Sequence, residues 1–177
     1  GGVSIIQLFG HSGYSLGFDS NLDQPRNWDN KGKYPIVLAN GCNSGDLYRN
    51  ESVVSNSEEY VVIENEGAIA YVSTTATGFD VPLAHLTKEV YNEISKLSYG
   101  TTLGNSYSRA LSTSLINYDN LGPGNREIFL GSFIPTTIHG DPMIKSNVYE
   151  KPEFIIPSDG IVFSPSNPTL QDTEMTV

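Results

Sequence analysis

The sequence predicts an α/β domain with a largely parallel sheet. Three short, continuous apolar runs are typical of strands buried on both faces, and they lie near residues 3–9, 34–40 and 68–73. Segments with helical spacing or capping residues alternate with and follow these runs, near residues 57–66, 81–97 and 102–116. Strands that alternate with helices favour a parallel sheet with right-handed crossovers. A length of 177 residues suits one such domain.

Local signals mark the expected ends of the helices. Ser57 is the expected N-cap of the first helix, and Gly67 is its expected end. Asp80 is the expected N-cap of the second helix. The apolar stripe of this second helix consists of Leu83, Leu86, Val90 and Ile94.

The remaining segments predict a long loop, two short elements and a separate tail. Residues 12–33 lack periodicity and predict the loop. A short helix is expected within residues 126–133, and residues 141–144 lead into a last short strand. We expect residues 1–150 to form the main domain. Prolines punctuate residues 151–177, which predicts a linker and the truncated start of an all-β module, or a tail packed on the main domain.

Composition argues against two classes of partner. The chain has 20 acidic and 10 basic residues and a net charge of −10, which disfavours binding to nucleic acid or to anionic lipid. No apolar run approaches the roughly 18 residues of a membrane-spanning helix, so no membrane insertion is expected. The chain also contains 20 Ser, 12 Thr and 15 Asn, a polar surface composition that suits exported bacterial proteins.

Two of the predicted strands end in reactive side chains. The first ends at His11 and the second at Cys42. Ligands collect at the carboxyl ends of parallel strands, so loops leaving this edge can bring an imidazole and a thiol together. A neighbouring base favours the nucleophilic thiolate, and Gly41 and Gly45 allow a sharply turned, exposed backbone around Cys42. The alternative is that Cys42 is a small buried apolar residue.

No metal or cofactor site is expected. A single cysteine excludes an internal disulfide and a multi-Cys zinc site. His85 and His139 lack companions at metal-binding spacing and are interpreted as structural. Asp19–Asp23 matches the first half of a calcium loop, but Gln24 and Asn30 occupy positions where such a loop needs Gly and Glu. This segment therefore predicts a turn with local side-chain capping.

Four short motifs follow one another along the chain: Gly10-His11-Ser12-Gly13, Asn40-Gly41-Cys42-Asn43-Ser44-Gly45, Gly67-Ala68-Ile69-Ala70-Tyr71 and Gly140-Asp141-Pro142. Together, in this order and at these spacings, they resemble the gingipain family of secreted bacterial cysteine peptidases. The resemblance covers residues 3 to about 148 and implies a caspase-like three-layer fold, here the second half of a catalytic domain whose N-terminal half is missing. It also implies a cysteine endopeptidase that needs no cofactor, acts on a protein or peptide substrate, and is secreted or at the cell surface. The tail resembles the opening strands of an immunoglobulin-like adhesion module.

The resemblance implies roles for individual residues. Cys42 would attack the peptide carbonyl, and His11 would protonate the leaving amine. The backbone N–H groups of Ser12 and Cys42 would stabilise the oxyanion. The family histidine is commonly followed by Gly, whereas Ser12 follows it here, which leaves the geometry of the oxyanion site open. The alternative function is a catalytically inactive caspase-like surface or binding domain.

The loop after the third strand is the predicted substrate-binding segment. Thr74 and Thr75 would offer accessible backbone to an extended peptide, and Phe79 would supply a wall for its side chain. The alternative is that residues 73–77 form a polar strand end and that Phe79 belongs to the core.

Overall fold

The computed structural model describes most of the predicted main domain. The described residues are 2–14, 17–18, 24–48, 55–118, 123–147 and 150. The predictions for Asp19–Asp23 and for the tail at 151–177 lie outside these residues.

A four-stranded sheet forms the centre of the domain. Its strands, in spatial order, are β1 (Ile5–Phe9), β2 (Ile36–Asn40), β3 (Ala70–Thr74) and β4 (Thr136–Gly140). The first three strands are parallel, and β4 runs antiparallel to β3. The predicted α/β class with a largely parallel sheet is therefore confirmed, and each predicted parallel strand is present but begins two residues later than expected.

Helices cover both faces of this sheet. They are α1 (Asn56–Val62), α2 (Asp80–Asn92), α3 (Leu103–Tyr118) and α4 (Pro123–Phe133). Successive side chains of a strand alternate between faces. Leu38 and Val72 accordingly pack in a large cluster with residues of α2, α3 and α4, while Val37 and Tyr71 pack in a smaller cluster with Tyr60 of α1. Burial on both faces explains why β2 and β3 are mainly apolar, whereas β1 is only partly buried.

The N-cap of the first helix lies two residues earlier than expected. Ser55, not Ser57, is its N-cap, and the Ser55 side chain accepts a hydrogen bond from the backbone N–H of Glu58. The Glu58 carboxylate in turn accepts from the Ser55 backbone N–H, which completes a capping box. The helix ends at Val62, before Gly67, whose φ of +83° lies in the turn that leads to β3.

The second helix differs from the prediction in its N-cap residue and in the type of its last turn. Phe79 occupies its N-cap position, and Asp80 is the first helical residue. Beyond Asn92 the chain continues as a π-helical turn over Glu93–Leu97, so the predicted helical span is correct although its last turn is widened. No helix within the described ranges is long and apolar enough to cross a membrane.

The last strand lies before residue 141, not after residue 144 as expected. β4 occupies Thr136–Gly140 directly after α4. Its three β-branched residues favour a strand. The segment after it cannot extend the sheet, because the Asp141 carboxylate caps the backbone N–H of Met143 in a turn. Lys145 then forms only an isolated bridge with Thr102.

Candidate active site

His11 and Cys42 follow the carboxyl ends of neighbouring parallel strands. The register of β1 and β2 pairs Phe9 with Asn40, so each of the two reactive residues lies two positions beyond a paired residue. The backbone N–H of Gly10 donates to the carbonyl of Asn40 at 3.1 Å, which extends the pairing by one step. Adjacent strands lie about 4.8 Å apart. The two loops therefore leave the sheet side by side.

A cavity of about 430 Å³ opens at this edge of the sheet. Both His11 and Cys42 line it, and the Cys42 side chain is partly buried. The other lining residues come from the ends of β1 and β2 and from the segment that enters α2: Phe9, Gly10, Asn40, Gly41, Thr77, Gly78, Phe79, Asp80 and Leu83. An imidazole, a thiol and an adjacent concave space are the elements that covalent catalysis by cysteine requires.

The Cys42 thiol faces a backbone carbonyl at the floor of the cavity. Its Sγ lies 3.5 Å from the carbonyl oxygen of Gly78, to which the S–H donates. The carbonyl of Gly78 belongs to the segment between β3 and α2, so the thiol contacts a third loop in addition to its own. Turning the thiol away from this weak hydrogen bond and toward the cavity costs little.

The glycines around Cys42 provide space, whereas the sequence predicted conformational freedom. The left-handed residue of this loop is Asn43, with a φ of +55°, a conformation that Asn tolerates better than most residues. A Cβ on Gly41 would lie 2.0 Å from Oγ of Ser12. A Cβ on Gly45 would lie 3.1 Å from Cβ of Ser73. Both glycines thus allow neighbouring segments to approach the loop closely.

The backbone N–H groups predicted for the oxyanion site have no acceptor within the described part of the chain. The N–H of Gly10, which precedes His11, donates to the carbonyl of Asn40. The N–H of Asn43, which follows Cys42, donates to the carbonyl of Ala76. Ser12 and Cys42 have no such backbone partner among the described residues. Among the described residues nothing occupies these two N–H groups, and their role in an oxyanion site stays a prediction.

The structure separates the three residues predicted to bind substrate. Phe79 lines the cavity and is 45% exposed. Thr74 is fully buried at the end of β3, and its hydroxyl donates to the carbonyl of Gly41. The hydroxyl and the backbone N–H of Thr75 both donate to the carbonyl of Pro135. Neither threonine lines the cavity.

Asp80 is a cavity residue whose position at the site was not predicted. The sequence indicated only a helix cap, because the placement of the N-terminus of α2 beside the cavity depends on tertiary packing. One carboxylate oxygen of Asp80 accepts from the backbone N–H of Val81 at 2.8 Å, and the side chain is otherwise exposed. Among the described residues that line the cavity, Asp80 is the only Asp, Glu, Lys or Arg.

The other two histidines lie away from the cavity. His139 is buried in β4, edge-on to the ring of Tyr71, and burial lowers its pKa, with the Gly45 backbone and Glu58 opposing this shift. Burial also lowers the pKa of His85 on α2, against the opposing charge of Glu89. In the described ranges no group of three or more His, Cys, Asp or Glu residues could hold a metal ion.

The chain belongs to peptidase family C25, whose sequence profile matches residues 1–147. Its fold is that of the crystal structure of the Arg-specific cysteine proteinase gingipain R, with 17% identity and a TM-score of 0.59 over 80% of this chain and 33% of that one. The complex of the Porphyromonas gingivalis RgpB pro- and mature domains gives 15% identity and a TM-score of 0.60, covering 81% and 34%. A further solved protease gives 15% and 0.62, covering 81% and 35%.

These comparisons confirm the predicted family and the caspase-like fold. The chain spans about a third of the length of each of these solved chains. No curated protein matches it.

Proposed function

We propose that this chain carries the catalytic pair of a cysteine endopeptidase of the gingipain type. The observation that carries the proposal is that His11 and Cys42 follow register-paired strand ends and line one cavity. Membership of peptidase family C25 supports peptide bonds as the substrate. Because the chain spans a third of gingipain R, we infer that an N-terminal half of the catalytic domain completes the unit.

In the proposed reaction, the Cys42 thiol gives its proton to His11 and its sulfur bonds to the peptide carbonyl carbon. The carbonyl oxygen becomes an oxyanion, to which the free N–H groups of Ser12 and Cys42 donate. His11 then gives the proton to the amine nitrogen as the C–N bond breaks. Water hydrolyses the remaining thioester and restores the thiol.

The charge of the cavity favours a cationic side chain in the substrate. Asp80 is exposed at the cavity wall and uses one carboxylate oxygen for Val81, so its other oxygen is available. The similarity to gingipain R, which is Arg specific, points in the same direction. The exposed ring of Phe79 is adjacent and offers an apolar or cation–π contact to the stem of such a side chain.

We place the active protein outside the cell or at its surface. The resemblance to the gingipain family of secreted peptidases and a composition rich in Ser, Thr and Asn support this location. The division into a peptidase region at 1–150 and a truncated immunoglobulin-like module at 151–177 is part of the same proposal. It predicts that proteolysis cuts near residue 150 without loss of the peptidase region.

The test uses the full-length protein, its Cys42→Ala and His11→Gln variants, and peptide substrates of varied sequence. We expect Cys42→Ala to abolish turnover and His11→Gln to lower kcat by about 100-fold or more. Ser112→Ala is the control, because it removes an exposed hydroxyl on α3, a helix that contributes no residue to the cavity lining. The inactive binding domain is the competing outcome: the wild-type protein would then cleave no peptide, and iodoacetamide would modify Cys42 no faster than free glutathione. Turnover by Cys42→Ala equal to that of the wild type would likewise overturn the role of Cys42.

A further inference from the structure

Ser12 joins the loop that carries His11 to the loop that carries Cys42. The Ser12 hydroxyl donates to the carbonyl oxygen of Cys42 at 2.9 Å. The same side chain fills the space beside Gly41, where an added Cβ would lie 2.0 Å from Oγ and 2.8 Å from Cβ of Ser12. The two loops are therefore in direct contact through Ser12 and the Gly41–Cys42 backbone.

The peptide group that follows Cys42 is bonded at both ends. Its carbonyl accepts from Ser12, and its N–H, that of Asn43, donates to the carbonyl of Ala76 at 2.9 Å. Because the two groups lie in one rigid plane, these bonds together determine the orientation of the peptide. Asn43 has a left-handed φ of +55°, and such a conformation persists where the surroundings hold it.

We propose that the Ser12 side chain is a positioning residue that keeps His11 and Cys42 in a fixed relative orientation. The inference rests on the proposed function, in which these two residues form the catalytic pair. Ser12 is the next residue to His11, so its hydroxyl bond connects the histidine loop directly to the backbone of the nucleophile. The hydroxyl acts through the Cys42 carbonyl and does not contact the reacting atoms.

This role differs from that of the other bonds around the site. Gly45 N–H to Thr74 and Asn43 N–H to Ala76 hold the Cys42 loop to the segment that includes β3. Gly10 N–H to Asn40 extends the pairing of β1 with β2 and lies before His11. The Ser12 bond is the described hydrogen bond that connects the two loops beyond His11.

The experiment compares Ser12→Ala and Ser12→Thr in the full-length protein. Removing one such hydrogen bond should lower kcat by about tenfold and change KM by less than about twofold. Ser12→Thr keeps the hydroxyl and should retain kcat within about threefold of the wild type. Ser112→Ala is the matched control, because its hydroxyl also donates to a backbone carbonyl at 2.9 Å, that of Ser108. It should leave kcat unchanged.

Alkylation of Cys42 by iodoacetamide provides a readout that does not require turnover. If Ser12 positions His11 relative to Cys42, His11→Gln slows alkylation less in the Ser12→Ala background than in the wild type. Wild-type kinetics in Ser12→Ala, equal losses in Ser12→Ala and Ser12→Thr, or effects of Ser12→Ala and His11→Gln that simply multiply would each overturn the inference. If no peptide is cleaved by the wild type, the proposed function fails and the alkylation cycle still decides the role of Ser12.

Discussion

The loop that carries Cys42 and the loop that carries His11 differ in how firmly they are held. In the first, Gly41, Ser44 and Gly45 are buried, and the Ser44 hydroxyl is hydrogen-bonded to that of Ser73 in β3. In the second, His11 is exposed and its imidazole has no hydrogen-bond partner among the described residues. Cys42 therefore lies in the loop with more contacts, whereas the His11 side chain is held mainly through its neighbour Ser12.

Strand order explains this difference. β2 lies between β1 and β3, so the loop that follows it meets hydrogen-bonding groups on both sides. β1 lies at one edge of the described sheet, and the loop after it meets groups of β2 on one side only. In this arrangement Ser12 and Gly41 carry the contact between the Cys42 loop and the His11 loop.

The largest effect is expected from breaking that contact with Gly41→Ala. The added Cβ would lie 2.0 Å from Oγ of Ser12 and 2.8 Å from the carbonyl oxygen of Gly10, so the two loops must separate. We expect a loss of about 2 kcal/mol in the free energy of unfolding, from crowding, and a loss of kcat/KM of about 100-fold or more. Denaturant unfolding and steady-state kinetics measure the two effects.

The double variant Gly41→Ala, Ser12→Gly is the control for this change. It removes the side chain that the new methyl group meets, while the backbone contact with Gly10 remains. It should therefore recover part of the lost stability. A Gly41→Ala protein as stable and active as the wild type would show that the two loops do not need this close approach.

A smaller effect is expected at the cavity wall, where Asp80→Asn removes the charge and keeps the shape. The ratio of kcat/KM for a peptide with Arg to one with the uncharged isostere citrulline should fall by about tenfold. Asp141→Asn is the matched control. Asp141 is also exposed and also caps a local backbone N–H at 2.8 Å. It follows the end of β4, which pairs with the first residue of β3. Asp141 therefore lies at the amino ends of the parallel strands, whereas the cavity lies at their carboxyl ends.

Equal Arg-to-citrulline ratios in the wild type and in Asp80→Asn would contradict the proposed substrate preference. Labelling by charged thiol reagents sharpens the result, since a cationic methanethiosulfonate should react with Cys42 faster than an anionic one. Asp80→Asn should reduce the ratio of the cationic to the anionic labelling rate more than Asp141→Asn does, because the effect of a charge falls with its distance from the thiol.

The strands and helices were predictable where burial leaves a recognisable pattern of apolar residues in the sequence. β2 and β3 are mainly apolar because both of their faces are buried, and the apolar stripe of α2 has helical spacing. β1 is only partly buried, but its mainly apolar sequence still indicated a strand. β4 was missed because its five residues lie directly after a helix and include no continuous apolar run. The first helix shows a different error: Ser55 and Glu58 form the capping-box pattern, whereas Ser57 lacks an acidic residue three positions later.

The candidate site was predictable to the extent that strand ends determine it. His11 and Cys42 share a cavity because parallel strands place their carboxyl ends at one edge. The contacts of Ser12 with Gly41 and the position of Asp80 depend on how separate segments pack, which sequence spacing does not encode. The same limit applies to Thr74, for which the sequence predicted accessible backbone. Its side chain is fully buried, and its hydroxyl donates to the carbonyl of Gly41 in the Cys42 loop.

The smallest expected effect concerns the support of the Cys42 loop by His139. This histidine is 6% exposed, and a Cβ on Gly45 would lie 3.3 Å from its Nε2. Burial lowers its pKa below the ordinary value of 6.5, while the Gly45 backbone and Glu58 oppose the shift. Below that value the unfolded chain binds a proton that the folded protein does not, so stability is present at neutral pH and is lost as the pH falls below about 6.5.

His139→Gln should therefore flatten the dependence of the unfolding free energy on pH between about pH 6.5 and 5, by at most about 1.4 kcal/mol per pH unit, the limit for one proton. The slope is the informative quantity, because the substitution also changes packing against Tyr71 at every pH. His85→Gln is the comparison: His85 also has a lowered pKa but is less buried, so its removal should flatten the curve less. Denaturant melts at several pH values measure these slopes. Parallel curves for the wild type and His139→Gln would mean that His139 does not contribute to the acid sensitivity of the domain.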